Sequence, residues 1–279
     1  MKAAGCDVFV NTGIPKFAAQ AIKKAAEIEW KPLHVISSVG NSVGASLKPA
    51  GLENAQDLIT DFYLKGLKDG LGDKVKSIVV EAAYETTDPT VDSQVIGMKA
   101  AGCDVFVNTG IPKFAAQAIK KAAEIEWKPL HVISSVGNSV GASLKPAGLE
   151  NAKDLITDFY LKDPTDAQWK DDPGYKDWVA FMDQYYPEGD KTDAGNVIGP
   201  CFAQTLVQVL KQCGDELTRE NVMKQATNLK NFTVPMLLPG ITINTSPTDF
   251  APIKQMQMAR FDGERWQLFG PLISGAVSG

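Results

Sequence analysis

The sequence predicts an α/β fold in which helices flank a parallel β-sheet and a β-hairpin lies near the C-terminus. Three observations support this fold class. A strand, an amphipathic helix and a second strand follow one another between residues 103 and 134. The same pattern stands 97 residues earlier, and two strand-like segments joined by Asp262-Gly263 lie near the end of the chain. Short links between strand, helix and strand are typical of parallel strands with right-handed crossovers.

The best-defined unit begins with the apolar run at residues 103–107, which is typical of a strand buried on both faces. Asn108-Thr109-Gly110 interrupts it, and Pro112 suits the first position of a helix, where its missing N–H costs nothing. Residues 130–134 form the next predicted strand. Between the strands at 103–107 and 130–134, apolar side chains recur at helical spacing: Phe114, Ala115, Ala118, Ile119, Ala122 and Ile125.

The remaining elements follow from the same patterns. An aromatic stripe between Tyr175 and Tyr186 predicts a core helix, Thr192-Asp193 precedes a long helix that ends at Gly214, and Thr218 caps another. Asp262-Gly263 predicts the tight turn of the hairpin, because glycine adopts the positive φ that such turns need. Strands are predicted near residues 7–11, 33–37, 57–63, 77–84, 104–108, 130–134 and 154–161, with further helices near 66–72 and 88–98.

An internal repeat spans residues 1–65 and 98–162, and 64 of the 65 paired residues are identical; Gln56 faces Lys153. Natural tandem repeats keep core positions and change at the surface. Identity at solvated charges therefore indicates a recent, engineered or misassembled copy. The repeat begins in the middle of a predicted helix, so its start is not a domain boundary. Two identical segments compete for one place beside the predicted strand at 77–84, which predicts domain-swapped self-association.

Composition excludes several classes of protein. The net charge is −5, the pI is about 5.2 and no Lys/Arg cluster occurs, which argues against a nucleic-acid partner. No apolar run reaches the roughly 18 residues that span a bilayer. The first residues run directly into a predicted strand, so we expect no signal peptide in this chain. The four cysteines fit small core residues better than a disulfide framework.

Enzyme motifs are weak. Gly137-Asn138-Ser139-Val140-Gly141 matches G-x-S-x-G, but a nucleophilic serine needs a histidine base, and His131 and His34 each precede the serine of their own copy. Metal-ligand spacings are absent, and Gly70-Leu71-Gly72 lacks the third glycine of a dinucleotide fingerprint. We therefore expect no enzyme activity, no catalytic residue, no metal and no cofactor. A serine hydrolase is the remaining enzyme alternative.

A ligand site is predicted from position. Ligands of open parallel α/β sheets bind outside the carboxyl ends of the strands. The loops there are residues 108–111 and 134–138, which offer hydroxyls, an amide and backbone N–H groups beside a helix start. These groups suit a small polar or anionic ligand. The alternative is that they are only turn residues.

Four segments together resemble the type I periplasmic solute-binding proteins of ABC importers, the group that includes receptors for branched-chain amino acids and aromatic acids. They are residues 77–94 (SIVVEAAYETTDPTVDSQ), 112–119 (PKFAAQAI), 145–152 (KPAGLENA) and 261–266 (FDGERW). The resemblance implies two Rossmann-like lobes joined by hinge strands, and a ligand clamped between them. It also implies a periplasmic location and delivery of a small carboxylate, such as an amino acid, to a membrane permease.

The resemblance places ligand-binding residues at Thr109, Gly110, Ser134, Ser135 and Gly137 in the second lobe. Their twins in the first copy inherit no such role: Thr12, Gly13, Ser37, Ser38 and Gly40. We expect residues 1–65 to be a duplicated half-lobe in place of the first lobe, and 66–190 to be the second lobe. Residues 191–279 would return to the first lobe and hinge. The hypotheses are then a solute receptor, complete or chimeric, or a duplicated scaffold without a specific ligand.

Overall fold

The computed structural model describes residues 8–11, 33–36, 62–85 and 87–275. The chain divides into two compact units, Met1–Cys103 and Asp104–Gly279. The expected three-part division of the chain stays a prediction. Mixed α/β architecture with parallel strands at its centre confirms the predicted fold class.

In the first unit, the strands β1 (Val8–Asn11) and β2 (Leu33–Ile36) pair in parallel, with Val8 opposite Leu33. Helix α1 covers Phe62–Leu71 and continues into a 3₁₀ turn at Gly72–Ser77. Helix α2 covers Asp92–Ala100 and buries Val95. The parallel pairing of β1 with β2 confirms the predicted strands near 7–11 and 33–37.

Two predicted strands of this unit are wrong in the described residues. Phe62 and Tyr63 begin helix α1 instead of ending a strand, and residues 57–61 lie outside the described residues. Residues 78–85 have no regular structure, and Val79 is 64% exposed. The β-branched residues of this segment favour a strand, but a strand is stable only when it pairs with a neighbour. The described residues supply no ladder partner for it.

The second unit contains a five-stranded sheet in the order β3-β4-β5-β6-β7. Its first three strands are parallel, and the last two form the predicted antiparallel hairpin at the edge. Pairing of β3 with β4 places Val105 opposite Leu130. The strands are β3 (Val105–Asn108), β4 (Leu130–Ile133), β5 (Ile156–Phe159), β6 (Gln255–Phe261) and β7 (Trp266–Ser274).

Local sequence signals explain most helix ends in this unit. Pro112 is the first residue of α3, Thr218 Oγ1 accepts a hydrogen bond from the N–H of Asn221 in α7, and Gly214 ends α6 with a φ of 58°. The helices are α3 (Pro112–Glu124), α4 (Lys145–Ala147), α5 (Pro173–Tyr185), α6 (Gly195–Cys213) and α7 (Arg219–Ala226). A π-helical turn covers Val140–Leu144, and 3₁₀ turns cover Leu149–Ala152 and Ala167–Trp169.

The hairpin closes the core of the second unit. Trp266 at the start of β7 is 1% exposed and contacts Phe159 and Phe261 edge-on, with ring centroids 5.7 and 5.2 Å away. The predicted hairpin is present and Gly263 in its turn has a φ of 108°, but the turn spans residues 262–265 because Phe261 pairs with Trp266 and the N–H of Asp262 donates to the carbonyl of Arg265. Cys201 and Cys213 are buried in α6, as expected for core thiols.

Within the described part of the chain, no helix is long and apolar enough to span a membrane.

Candidate functional site

The candidate site lies at the carboxyl ends of β3, β4 and β5. These three strands are parallel, so the segments that follow them emerge at the same edge of the sheet. Thr109 and Gly110 follow β3, whereas Ser134, Ser135 and Gly137 follow β4. The five predicted residues therefore lie at one edge. Their twins in the first copy lie outside the described residues.

The end of β3 is fixed by Asn108, whose side chain is buried. Its Oδ1 accepts a hydrogen bond from the N–H of Gly110 at 2.9 Å, so its Nδ2 faces Nε2 of His131 at 3.3 Å. Nδ2 can only donate, so this ring nitrogen must accept, as in a neutral imidazole. Burial lowers the pKa of His131 to about 3, in agreement with a neutral ring. His131 is thus a core residue of the strand.

The loop after β4 packs directly on the loop after β3. The N–H of Gly137 donates to the carbonyl of Ser134 at 2.9 Å. A Cβ at Gly137 would lie 2.8 Å from the carbonyl oxygen of Gly110 and 3.0 Å from Cβ of Ala115. Any side chain at this position would push the two loops apart. The structure therefore brings together the glycines that the sequence placed in the site, and it explains why position 137 needs glycine.

Sequence reasoning missed Asp158, the acidic residue of this edge. It lies in β5, and its carboxylate accepts hydrogen bonds from both the N–H and the hydroxyl of Ser135. Burial raises the pKa of Asp158, and hydrogen bonds from its own N–H and from Ser135 oppose that shift only in part. A charged residue inside the third parallel strand, next to its carboxyl end, is the signal that could have identified it.

Hydrogen bonds of a buried amide, a buried hydroxyl and a buried indole hold the loop after β4 in place. Asn138 is 2% exposed, and its Nδ2 donates to Oγ1 of Thr157 at 3.3 Å. Thr157 Oγ1 in turn donates to the carbonyl of Ile133 at 2.7 Å. The carbonyl of Asn138 accepts from Nε1 of Trp266 at 3.0 Å. The loop is therefore held by β5 and by the C-terminal hairpin.

Two cavities differ in size and in lining. The cavity at the sheet edge measures about 20 Å³ and contacts Ser135, Asn138, residues 159–162 and the first turn of α6. It has room for about one water molecule. A second cavity of about 440 Å³ lies between α5 and α6 and is lined mainly by apolar side chains such as Trp178, Phe181 and Val207. Size favours the second cavity, but the convergence of polar groups and a half-buried carboxylate favours the sheet edge.

The G-x-S-x-G motif does not build a hydrolase site. Ser139 Oγ donates to Oδ1 of Asp193 at 2.9 Å and accepts from the N–H groups of Ala142 and Ala194. None of these partners is a histidine, and the ring of His131 pairs with Asn108 instead. In the described part of the chain, no group of three or more His, Cys, Asp or Glu residues is arranged to hold a metal ion.

Several backbone N–H groups at this edge of the sheet are not free to bind an anion. The N–H groups of Gly110, Ser135 and Gly137 already donate to Asn108, Asp158 and the carbonyl of Ser134. Many backbone N–H groups of these loops therefore already have hydrogen-bond acceptors within the protein. This agrees with the alternative that the residues serve as turn residues. Asp158 adds a carboxylate, which suits a cationic or hydrogen-bond-donating group of a ligand.

The model of a family described as "Periplasmic binding protein" matches residues 63–265. Among curated proteins, no sequence matches the chain. Solved structures with the same fold include a branched-chain amino acid ABC transporter protein from Thermus thermophilus with bound valine. Its identity is 14% and its TM-score 0.59, over 95% of this chain and 66% of that one.

Two further structures show the same relationship. A leucine-binding protein from Thermotoga maritima is 15% identical, with a TM-score of 0.57, over 93% of this chain and 65% of that one. An extracellular ligand-binding receptor from Rhodopseudomonas palustris is 14% identical, with a TM-score of 0.57, over 96% and 83%. The chain thus spans about two thirds of the length of the Thermus and Thermotoga proteins. At these identities the likeness shows the fold.

Proposed function

The chain belongs to the periplasmic binding protein family, and we propose that it binds a small amino acid or a related aliphatic or aromatic carboxylate for an ABC importer. The observation that supports this most directly is the Ser135–Asp158 pair beside Thr109 and Gly110, at the edge where α/β sheets bind ligands. Residues 134, 135 and 137 would contact the ligand together with residues 109 and 110. The partners are then the solute and a membrane permease, and the location is the periplasm.

Asp158 makes the proposal specific. A half-buried carboxylate that already accepts two hydrogen bonds from Ser135 can accept further ones from an ammonium group. An amino acid would place its ammonium group there, whereas a plain carboxylate would lack this contact. The Thermus protein has valine bound, and the Thermotoga protein is a leucine-binding protein. We expect affinities between millimolar and micromolar, about −4 to −8 kcal/mol.

Calorimetry on the full chain tests the proposal. L-Leucine, L-valine and benzoate are titrated into the wild type and into Ser135→Ala and Asp158→Asn variants. We expect the two amino acids to bind better than benzoate, and each substitution to weaken their binding about tenfold, about 1.4 kcal/mol. Ser77→Ala is the matched control, because Ser77 is exposed and its hydroxyl donates to the carbonyl of Lys74 in the other unit.

The outcomes separate the hypotheses. Binding that is unchanged in both variants would remove Ser135 and Asp158 from the site. The absence of binding for all three solutes would favour a scaffold without a specific ligand. Light scattering on the same samples tests the predicted domain-swapped self-association, since a strictly monomeric chain over a range of concentrations would contradict it.

A further inference from the structure

We propose that Ser139 and Asp193 are positioning residues, which fix the ligand loop at residues 134–137 relative to helix α6. This inference assigns a role to the G-x-S-x-G motif that the proposed ligand contacts do not use. It depends on the proposed function only where it concerns affinity. The role in loop geometry stands apart from the identity of the ligand.

The hydroxyl of Ser139 makes all three hydrogen bonds that it can make. A hydroxyl has one donor and two acceptor positions. Ser139 Oγ donates to Asp193 Oδ1 at 2.9 Å and accepts from Ala194 N at 3.1 Å and Ala142 N at 3.2 Å. The side chain is 4% exposed. Two of these three bonds link the β4 loop to the segment that leads into α6, and the third caps the π-helical turn at Val140–Leu144.

The segment before α6 makes further hydrogen bonds at this contact. Asp193 Oδ1 also accepts from the N–H of Gly195, at the start of α6. The N–H of Gly141 donates to the carbonyl of Thr192 at 2.9 Å. A Cβ at Gly141 would lie 2.8 Å from the carbonyl carbon and 2.8 Å from the carbonyl oxygen of Thr192, so the two backbones meet too closely for any residue with a Cβ. Both glycines and the serine of the motif are therefore explained by packing.

The contact determines the shape of the site. The small cavity at the sheet edge lies between Ser135 and Asn138 on one side and Ala194, Val197 and Ile198 on the other. Ser139 directly follows Asn138 in the sequence, and Asp193 directly precedes Ala194. The Ser139–Asp193 hydrogen bond therefore joins the two sides of the cavity immediately beside its lining. Loss of the bond would leave the first turn of α6 less firmly held against the loop, and the orientation of Ser135 toward the ligand would be less well fixed.

The test uses three variants and one control in the full chain. Ser139→Ala and Asp193→Ala remove the bond, whereas Asp193→Asn keeps an Oδ1 acceptor. Asp183→Ala is the control, because Asp183 is an exposed residue of α5 that pairs with Lys191. Amide hydrogen exchange is measured at Ser135, Gly137, Ala142 and Ala194, and L-leucine affinity is measured by calorimetry. Urea unfolding gives the global stability for comparison.

We expect exchange at Ser135, Gly137 and Ala194 to become at least tenfold faster in both alanine variants, beyond any change in global opening. The Asp193→Asn and Asp183→Ala variants should stay within about twofold of the wild type. Leucine affinity should follow the same order. Unchanged exchange at Ser135 and Gly137 in Ser139→Ala would overturn the positioning role. So would hydrolysis of p-nitrophenyl acetate that depends on Ser139. A wild type that does not bind leucine, but shows the expected exchange pattern, would refute the proposed ligand alone.

Discussion

The strand pairs β1–β2 and β3–β4 have the same sequence, but they belong to different sheets. Both pairs are parallel, and their registers coincide: Val8 faces Leu33 as Val105 faces Leu130. In the described residues, β1–β2 is a two-stranded sheet, whereas β3–β4 continues into β5 and the C-terminal hairpin. Local sequence is therefore sufficient to set the pairing and register of a strand–helix–strand unit. The surrounding chain decides whether the sheet grows.

The ends of the two copies diverge further. The tetrapeptide Phe-Tyr-Leu-Lys is helical at residues 62–65. At residues 159–162 it is not helical: Phe159 ends β5, Tyr160 lies in a bend and Leu161 forms an isolated bridge. After the first occurrence comes Gly66-Leu67-Lys68, which continues α1. After the second comes Asp163-Pro164, and a residue before proline disfavours the helical region. The second occurrence is also paired with another segment, since Leu161 bridges Leu237 and the N–H of Lys162 donates to the carbonyl of Met236.

The largest expected effect distinguishes the twin isoleucines. Ile133 in β4 is fully buried, so Ile133→Ala should lower the free energy of unfolding by about 2–5 kcal/mol. Ile36→Ala in β2 should cost less, because β4 has a strand on each side and β2 pairs with one strand among the described residues. Urea unfolding of the two variants measures the difference. Equal losses would contradict the view that the unique C-terminal segment stabilises the second pair.

The helical state of the first Phe-Tyr-Leu-Lys segment can be removed by proline. Leu67→Pro lies inside α1 and should cost about 3 kcal/mol of helix stability, because proline removes a hydrogen bond and clashes with the preceding turn. The Cα chemical shifts of residues 62–65 should then lose their helical values. Asp69→Ala, on an exposed position of the same helix, is the control that should keep them.

The twin histidines offer a comparison by pH. His131 has a folded pKa of about 3, below the ordinary 6.5, because burial disfavours the charged ring. Between these two values only the unfolded chain takes up this proton, so stability is present above pH 6.5 and is lost as the pH falls. The loss should be roughly 3 kcal/mol between pH 6.5 and 4.

NMR titration of the imidazole signals checks this prediction directly, since the chain has two histidines. The His131 ring should stay neutral down to about pH 4, and the His34 signal gives the same measurement for the other copy. The pH dependence of unfolding should become shallower in a His131→Gln variant. Titration of His131 near pH 6.5 would show that its ring is not buried.

The smallest effect concerns the hairpin that distinguishes the second unit. Trp266→Phe keeps an aromatic ring beside Phe159 but removes the Nε1 donor to the carbonyl of Asn138. A lost buried hydrogen bond of this kind costs about 1–3 kcal/mol. Because Asn138 supports the ligand loop, amide exchange at Gly137 should also accelerate. A stability loss without a change at Gly137 would confine the role of Trp266 to the core.

Much of the site could be predicted because it depends on position in a parallel sheet. The loops at residues 108–111 and 134–138 are predicted from position, and the family resemblance selects residues 109, 110, 134, 135 and 137 within them. The structure places these five residues at one edge of the sheet, and their ligand-binding role stays a prediction. The contact of Asp158 with Ser135 could not be predicted in this way, because it joins positions 23 residues apart. The partners of Ser139 were also hidden, since Asp193 lies 54 residues further along the chain.

The sequence by itself determined the elements whose signals are local. Pro112 begins a helix, Thr218 caps one, Asp262-Gly263 turns a hairpin, and each identical strand pair adopts one register. Only the tertiary structure decided the state of segments with ambiguous local preference. Residues 78–85 lack a ladder partner among the described residues and form no strand, and the same Phe-Tyr-Leu-Lys sequence is helical in one copy and non-helical in the other. The reason is physical: a helix satisfies its own backbone hydrogen bonds, whereas a strand depends on the hydrogen-bonding groups of another segment.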